Sequence, residues 1–214
     1  MPAGRIRGLY AITPELPDSQ TLLRRAAMAL EGGVAVLQYR SKGSGPERRS
    51  REAKALAAMC RSRGVLFIVN DDVELALEAA ADGVHLGRDD GALVAARAKL
   101  DGRLAGRLLG ASCYDSLAAA RAAVAAGADY VAFGSVFPSP TKPAALRAPL
   151  SLFGQARALG VPLVAIGGIT LENAPQLLGA GADALAVISD LFEAPDIAGK
   201  ARAYGKLFQH DLTQ

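Results

Sequence analysis

No stretch of this chain is long and apolar enough to cross a membrane; its longest apolar runs are short, strand-like pieces such as Val161 to Ile169. Cysteine is scarce. Cys60 and Cys113 have neither metal nor redox spacing, which excludes a disulfide scaffold and fits a reducing compartment. An excess of one charge is missing too: 24 basic and 21 acidic residues give +3, mixed along the chain. That balance argues against nucleic acid or a membrane surface as partner and favours an anionic small molecule. No G-x-G-x-x-G follows any strand-like run, and no G-x-x-x-x-G-K-[ST] opens a helix, so neither a dinucleotide fold nor a Walker loop is expected. Residues Met1 to Arg7 are basic, but no signal-peptide hydrophobic region comes after them, so a cytoplasmic location is the expectation.

The chain is rich in apolar residues: 51% of 214, with alanine dominant, enough for a large core of closely packed helices. Eight short apolar or β-branched runs appear at 9–12, 36–40, 66–69, 84–86, 108–111, 130–133, 163–166 and 184–188. Between them lie segments of helical period. In the first, Leu22, Leu23, Ala26, Ala27 and Leu30 share a face; in the last, Ile197, Ala201, Tyr204 and Phe208 do so. Strands alternating with helices predict a parallel sheet, because parallel neighbours need a crossover.

A repeat strengthens that reading. Glu31-Gly-Gly-Val-Ala-Val, Ala81-Asp-Gly-Val, Ala126-Gly-Ala-Asp-Tyr-Val and Ala180-Gly-Ala-Asp-Ala-Leu each lead into an even-numbered strand. The spacing is about 50 residues, one (βα)₂ quarter of a barrel. The fold expected is α/β, a single TIM-type (β/α)₈ barrel over residues 1–214 with no linker.

Active sites of such barrels lie on the loops after the strands. Strand two ends in Gln38-Tyr-Arg-Ser-Lys42, where alternation puts Gln38, Arg40 and Lys42 on one side, two cations suited to a diphosphate. Strand three ends in Asn70-Asp71-Asp72 and strand four in Gly87-Arg88-Asp89-Asp90. Carboxylates there can share a hard cation such as Mg²⁺; Asp71 and Asp90 are the expected ligands, with Asp72 and Asp89 left to capping or solvent. Ser112 closes strand five, either as a hydrogen-bonding group in the site or as a buried or capping serine. Cys113 lacks an activating neighbour, His85 reads as a core residue, and no Ser/His/Asp order suggests a hydrolase triad. Gly167-Gly168 after strand seven and Ile188-Ser189 after strand eight fall where barrels commonly bind a phosphate. The loop after strand six, Phe133-Gly-Ser-Val-Phe-Pro-Ser-Pro-Thr-Lys142, is stiffened by prolines and ends in donors suited to an anionic oxygen.

Taken together, Leu9-Tyr-Ala-Ile-Thr13, Gln38-x-Arg40-x-Lys42, Asn70-Asp71, Gly83-Val-His-Leu-Gly87-x-x-Asp90, Gly110-x-Ser112, Phe133-Gly-x-x-Phe-x-x-x-Thr-Lys142, Gly167-Gly-Ile169 and Ala186-Val-Ile-Ser189 resemble the thiamine phosphate synthase family along nearly the whole chain. The resemblance implies that a hydroxymethylpyrimidine diphosphate couples to a thiazole phosphate, or its carboxylated form, with loss of pyrophosphate. In the family the diphosphate departs first, leaving a stabilised pyrimidine cation that the thiazole nitrogen captures. By motif, Gln38, Arg40, Lys42, Asn70, Ser112 and Lys142 would contact the pyrimidine diphosphate. Asp71 and Asp90 would hold Mg²⁺, and Ser139, Thr141, Gly168, Ile188 and Ser189 would hold the thiazole phosphate. Arg40, Ser112 and Lys142 are the expected catalytic groups, Ser112 through the pyrimidine amine.

Three positions depart from the commoner pattern: Arg88 for Gln, Ser139 for Thr and Tyr114 for His. Thiazole tautomerases on the same barrel resemble the synthase but use a histidine near position 114 and lack the Thr-Lys ending of the strand-six loop. Thr141-Lys142 and Tyr114 therefore favour the synthase over the tautomerase; a non-catalytic barrel that binds a thiamine precursor stands as a further alternative. Small molecules are the expected partners, and a homo-oligomer is compatible with the sequence.

Overall fold

Short apolar runs become strands here because both of their faces are buried, one in the barrel interior and the other against a ring of helices. The structure is a computed structural model and describes residues 6–87, 93–103, 106–138 and 147–209. Eight strands pair in chain order, all parallel: β1 (Gly8–Ile12), β2 (Val36–Tyr39), β3 (Leu66–Asn70), β4 (Gly83–Leu86), β5 (Leu108–Tyr114), β6 (Tyr130–Phe133), β7 (Leu163–Ile166) and β8 (Ala184–Val187). The last pairs with the first, Tyr10 opposite Ala186, so the sheet closes into the expected barrel. The crossovers carry α1 (Ser19–Glu31), α2 (Pro46–Arg61), α3 (Val73–Glu78), α4 (Leu93–Arg103), α5 (Leu117–Ala125), α6 (Ser151–Ala156) and α7 (Ala174–Ala180); α8 (Ser189–Phe192) and α9 (Ile197–Gln209) come after β8. β5 runs further than its apolar core suggests, to Tyr114, with a shift of register after Ser112.

Strand alternation divides the core in two. Leu37, Phe67, Val84, Leu109, Val131 and Leu185 face outward onto the helices. Tyr10, Val36, Ile68, Leu108, Tyr130 and Val164 fill the barrel. The helices meet the outer layer with small residues, as Ala26 and Ala29 of α1 and Ala53 and Ala57 of α2 do, which explains the alanine content. Asp18 caps α1 through Thr21 N–H at 2.7 Å, and Pro46 opens α2.

The sequence repeat has a physical cause. Asp82, Asp129 and Asp183 each accept, through Oδ2, from a backbone N–H in the first two residues of the preceding strand: Phe67 at 2.9 Å, Leu109 at 2.7 Å and Leu163 at 2.8 Å. Each also donates its own N–H to that residue's carbonyl. The aspartate thus clasps odd strand to even strand at the floor of the barrel. In the first quarter Ala35 stands in its place and keeps only the backbone bond, to Leu9. The left-handed turn before the clasp falls on Gly127 and Gly181 in two quarters and on Ala80, φ 50°, in another.

Candidate active site

The upper rim begins where β2 stops, and Thr13 fixes the path of the chain there. Thr13 is buried; its Oγ1 accepts from Arg40 N–H at 2.9 Å and donates to the Arg40 carbonyl at 3.3 Å. The backbone from Gln38 to Arg40 is therefore tied to β1 just past the sheet. From there the Arg40 guanidinium reaches to 3.9 Å from Glu15 Oε1. Lys42, more exposed, places Nζ 3.5 Å from Asp71 Oδ2. Asp71 comes directly after β3; its N–H donates to the His85 carbonyl at 2.9 Å, and φ is 64°. Asp and Asn adopt that left-handed conformation more readily than other side-chain-bearing residues. Asp72 is committed elsewhere: it caps α3 through Leu75 N–H at 2.9 Å and accepts from Arg49 at 2.7 Å.

Below this charged rim lies a buried polar chain. Gln38 Nε2 donates to Tyr10 Oη at 3.0 Å, and Tyr10 Oη lies 2.9 Å from Tyr130 Oη. Tyr130 Oη is 3.1 Å from His85 Nδ1, and His85 Nε2 is 2.9 Å from Ser112 Oγ. Five strands contribute, so the chain crosses the barrel interior and reaches the rim at Ser112, which is only partly buried. Gly110 makes the crossing possible. A Cβ there would sit 2.1 Å from Tyr130 Cζ and 2.6 Å from His85 Nδ1. Burial holds the Tyr10 and Tyr130 phenols above their ordinary range, so both stay neutral.

A second hub stands outside the barrel wall, beside Arg40. Glu52 of α2, 2% exposed, accepts from Tyr39 at 2.6 Å, Ser19 at 2.7 Å and Arg48 at 2.7 Å. Arg48 also donates to the carbonyls of Leu16 and Pro17. Burial alone would raise the Glu52 carboxyl, but the three hydrogen bonds outweigh it and hold the group below its usual range. The hub pins the loop after β1, and with it Glu15, to the outer side of β2.

Across the rim by strand order, the loops after β6 and β7 lie on one another. Val136 N–H donates to Ile166 and Phe137 N–H to Gly167, both at 3.0 Å. Gly167 and Gly168 have φ of 103° and 65°, and a Cβ on either would strike Ser135 or the backbone of Phe137 and Pro138. Their lack of side chains thus serves the contact between two loops. Asn173 Nδ2 donates to the Gly168 carbonyl at 3.0 Å. Ile188 immediately precedes α8 and Ser189 begins it; the neighbouring Asp190 binds Tyr204 at 2.7 Å and Lys200 at 3.3 Å, anchoring α9.

Of the side chains expected to act, Gln38, Arg40, Asn70, Asp71 and Ser112 stand at the ends of β2, β3 and β5, Lys42 sits beside Asp71, and Gly168, Ile188 and Ser189 come after β7 and β8. Arg88, Asp90, Ser139, Thr141 and Lys142 lie outside the described residues. Among the described residues no three His, Cys, Asp or Glu side chains gather into a cage. Mg²⁺ commonly takes one or two carboxylates and completes its octahedron with water and phosphate oxygens, and the partly buried, hard oxygen donor of Asp71 fits that role.

Residue reading missed Tyr10, Tyr130 and Thr13, and took His85 for packing. Strand register gives them their inward face: Tyr10 pairs with Val36, and His85 and Tyr130 flank Gly110, two residues on from Leu108. Cys113, 1% exposed, is buried against the helices.

A family model described as thiamine monophosphate synthase matches residues 9–191. A thiamine-phosphate synthase from Aromatoleum aromaticum is 58% identical over 209 residues, covering 97% of this chain and 99% of that protein. One from Chromobacterium violaceum is 57% identical over 204 residues, covering 95% and 97%. Among solved structures, thiamine phosphate pyrophosphorylase from Pyrococcus furiosus superposes with a TM-score of 0.82 at 32% identity, over 99% of this chain and 98% of that one. A 3-hexulose-6-phosphate synthase, at 17% identity and a TM-score of 0.72, shares the fold alone. With relatives this similar over nearly their whole length, the chain belongs to the thiamine monophosphate synthase family.

Proposed function

We propose that the rim of this barrel couples a hydroxymethylpyrimidine diphosphate to a thiazole phosphate and releases pyrophosphate, the reaction of a thiamine-phosphate synthase. The transferase activity follows from relatives of that name at 52–58% identity over nearly the full chain. The observation that carries the chemistry is the placement of Arg40 and Lys42 above β2, with the Asp71 carboxylate beside Lys42. Breaking the carbon–oxygen bond to the diphosphate leaves two phosphates' worth of charge on the leaving group. A guanidinium fork and a mobile ammonium meet that charge as it develops. The bond that forms joins the pyrimidine methylene to the thiazole nitrogen, which brings its own lone pair. No protein nucleophile is needed.

Gln38, Asn70 and Ser112 line the pyrimidine side in this reading, with Lys142 from the strand-six loop completing the cation set. Asp71, with Asp90, would hold Mg²⁺, which supplies charge neutralisation at the departing phosphates. Gly168, Ile188 and Ser189, joined by Ser139 and Thr141, take the thiazole phosphate. The single barrel over residues 1–214, a cytoplasmic location and small-molecule substrates as partners are part of the same proposal, with which a homo-oligomer is compatible. Among the described residues no helix is long and apolar enough to cross a membrane.

The test supplies the protein with both substrates and Mg²⁺ and follows thiamine phosphate and pyrophosphate. Equimolar formation of the two is expected. Ring isomerisation of a carboxythiazole phosphate without coupling would make the chain a tautomerase, and ligand-induced thermal stabilisation without turnover would make it a binding barrel.

A further inference from the structure

We infer that Tyr130 is a positioning residue for Ser112, acting through His85: the buried chain that starts at Gln38 runs in one direction and presents the serine hydroxyl at the rim as a hydrogen-bond donor. The direction comes from counting hydrogens. A phenol has one to give. Gln38 Nε2 donates to Tyr10, so the Tyr10 hydrogen goes to Tyr130. Tyr130 then accepts on one side and gives its own hydrogen to His85 Nδ1. A ring nitrogen that accepts carries no proton, which places the imidazole hydrogen on Nε2, facing Ser112 Oγ at 2.9 Å. With one lone pair filled by the imidazole, the serine hydroxyl has its hydrogen free to point into the site.

The opposite direction leaves a fault. If Ser112 donated to His85 and the histidine to Tyr130, Tyr10 would receive hydrogens from both Tyr130 and Gln38. Its own hydrogen, in a fully buried position, would then lack an acceptor, a cost the forward direction avoids. Neutrality of both phenols supports the same counting, since a phenolate in the chain would have no hydrogen to pass. The link is built in: Gly110 is the position whose missing side chain admits the Tyr130 hydroxyl and the histidine together.

This inference rests on the proposed reaction for its consequence. An outward donor on Ser112 calls for an acceptor atom on the substrate, and the ring nitrogen beside the amine of an aminopyrimidine is such an atom. The second lone pair of Oγ remains for the amine itself. The serine would then read two neighbouring atoms of one heterocycle edge, in an orientation set from 130 rather than by its own rotor.

Two histidines, His85 and His210, make the direction measurable. Long-range proton–nitrogen correlation on protein labelled in histidine nitrogen, with His210→Gln for assignment, is expected to show neutral His85 with its hydrogen on Nε2. In Tyr130→Phe that preference is expected to weaken. A wild-type His85 carrying its hydrogen on Nδ1 would overturn the proposal, and this measurement needs neither substrate nor a folded Tyr130 variant. In the coupling reaction, Tyr130→Phe is expected to lower kcat about tenfold with the KM for thiazole phosphate unchanged, and to add nothing once Ser112→Ala is present. Full additivity of the two substitutions would also overturn it. Absence of coupling by wild-type protein with the Nε2 tautomer intact would remove the proposed function while leaving the chain and its direction standing.

Discussion

Asp71 meets two demands at one position. Its backbone lies in the left-handed region at φ 64°, and its carboxylate stands 3.5 Å from the Lys42 ammonium at the rim. Alanine there would confuse the two demands, because it tolerates that φ poorly. Asp71→Asn separates them: it keeps the shape and the backbone tolerance and removes the charge. We expect this variant to melt close to wild type while needing about tenfold more Mg²⁺ for half-maximal rate, as loss of a hard anionic ligand requires. An unchanged metal titration would take Asp71 out of the metal site. Residue types and strand ends made this position legible in advance, as they did Arg40 and Lys42. His85 was harder to read. An isolated histidine in an apolar run resembles packing, and only the three-dimensional meeting of β1, β4, β5 and β6 gives it Tyr130 on one side and Ser112 on the other.

Among elements, the strands were legible because burial on both faces leaves a run of apolar residues, and all eight appear in order. The clasping aspartates give the repeat its physical content: each side chain binds one backbone N–H of the preceding strand, beside a backbone bond that Ala35 makes as well. The Glu52 hub was not legible. A glutamate on an amphipathic helix normally faces water, and nothing local announces that Ser19, Tyr39 and Arg48 converge on it from three elements. Because this carboxyl is held below its usual range, its stabilisation is fully present above the ordinary carboxylate range and is lost as pH falls through its lowered value. Glu52→Gln should therefore lower the unfolding free energy at neutral pH by about 1–3 kcal/mol. The gap to wild type, followed by denaturant titration, should narrow in acid. A gap that does not change with pH would mean that the hub is held by shape and not by charge.

Seen whole, the molecule separates its tasks by height. Aspartate clasps hold the floor, an apolar layer fills the middle, a buried polar chain crosses beneath the mouth, and Arg40, Lys42 and Asp71 stand at the rim. That order lets a barrel with only a small net charge of +3 concentrate cations above β2, where a diphosphate would dock. The most direct test of this account is the steady-state kinetics of Arg40→Ala with each substrate varied in turn. If Arg40 meets the diphosphate, kcat/KM for the pyrimidine diphosphate falls at least about tenfold while the KM for thiazole phosphate stays within about twofold of wild type. A loss shared equally by both substrates, or no loss at all, would contradict it.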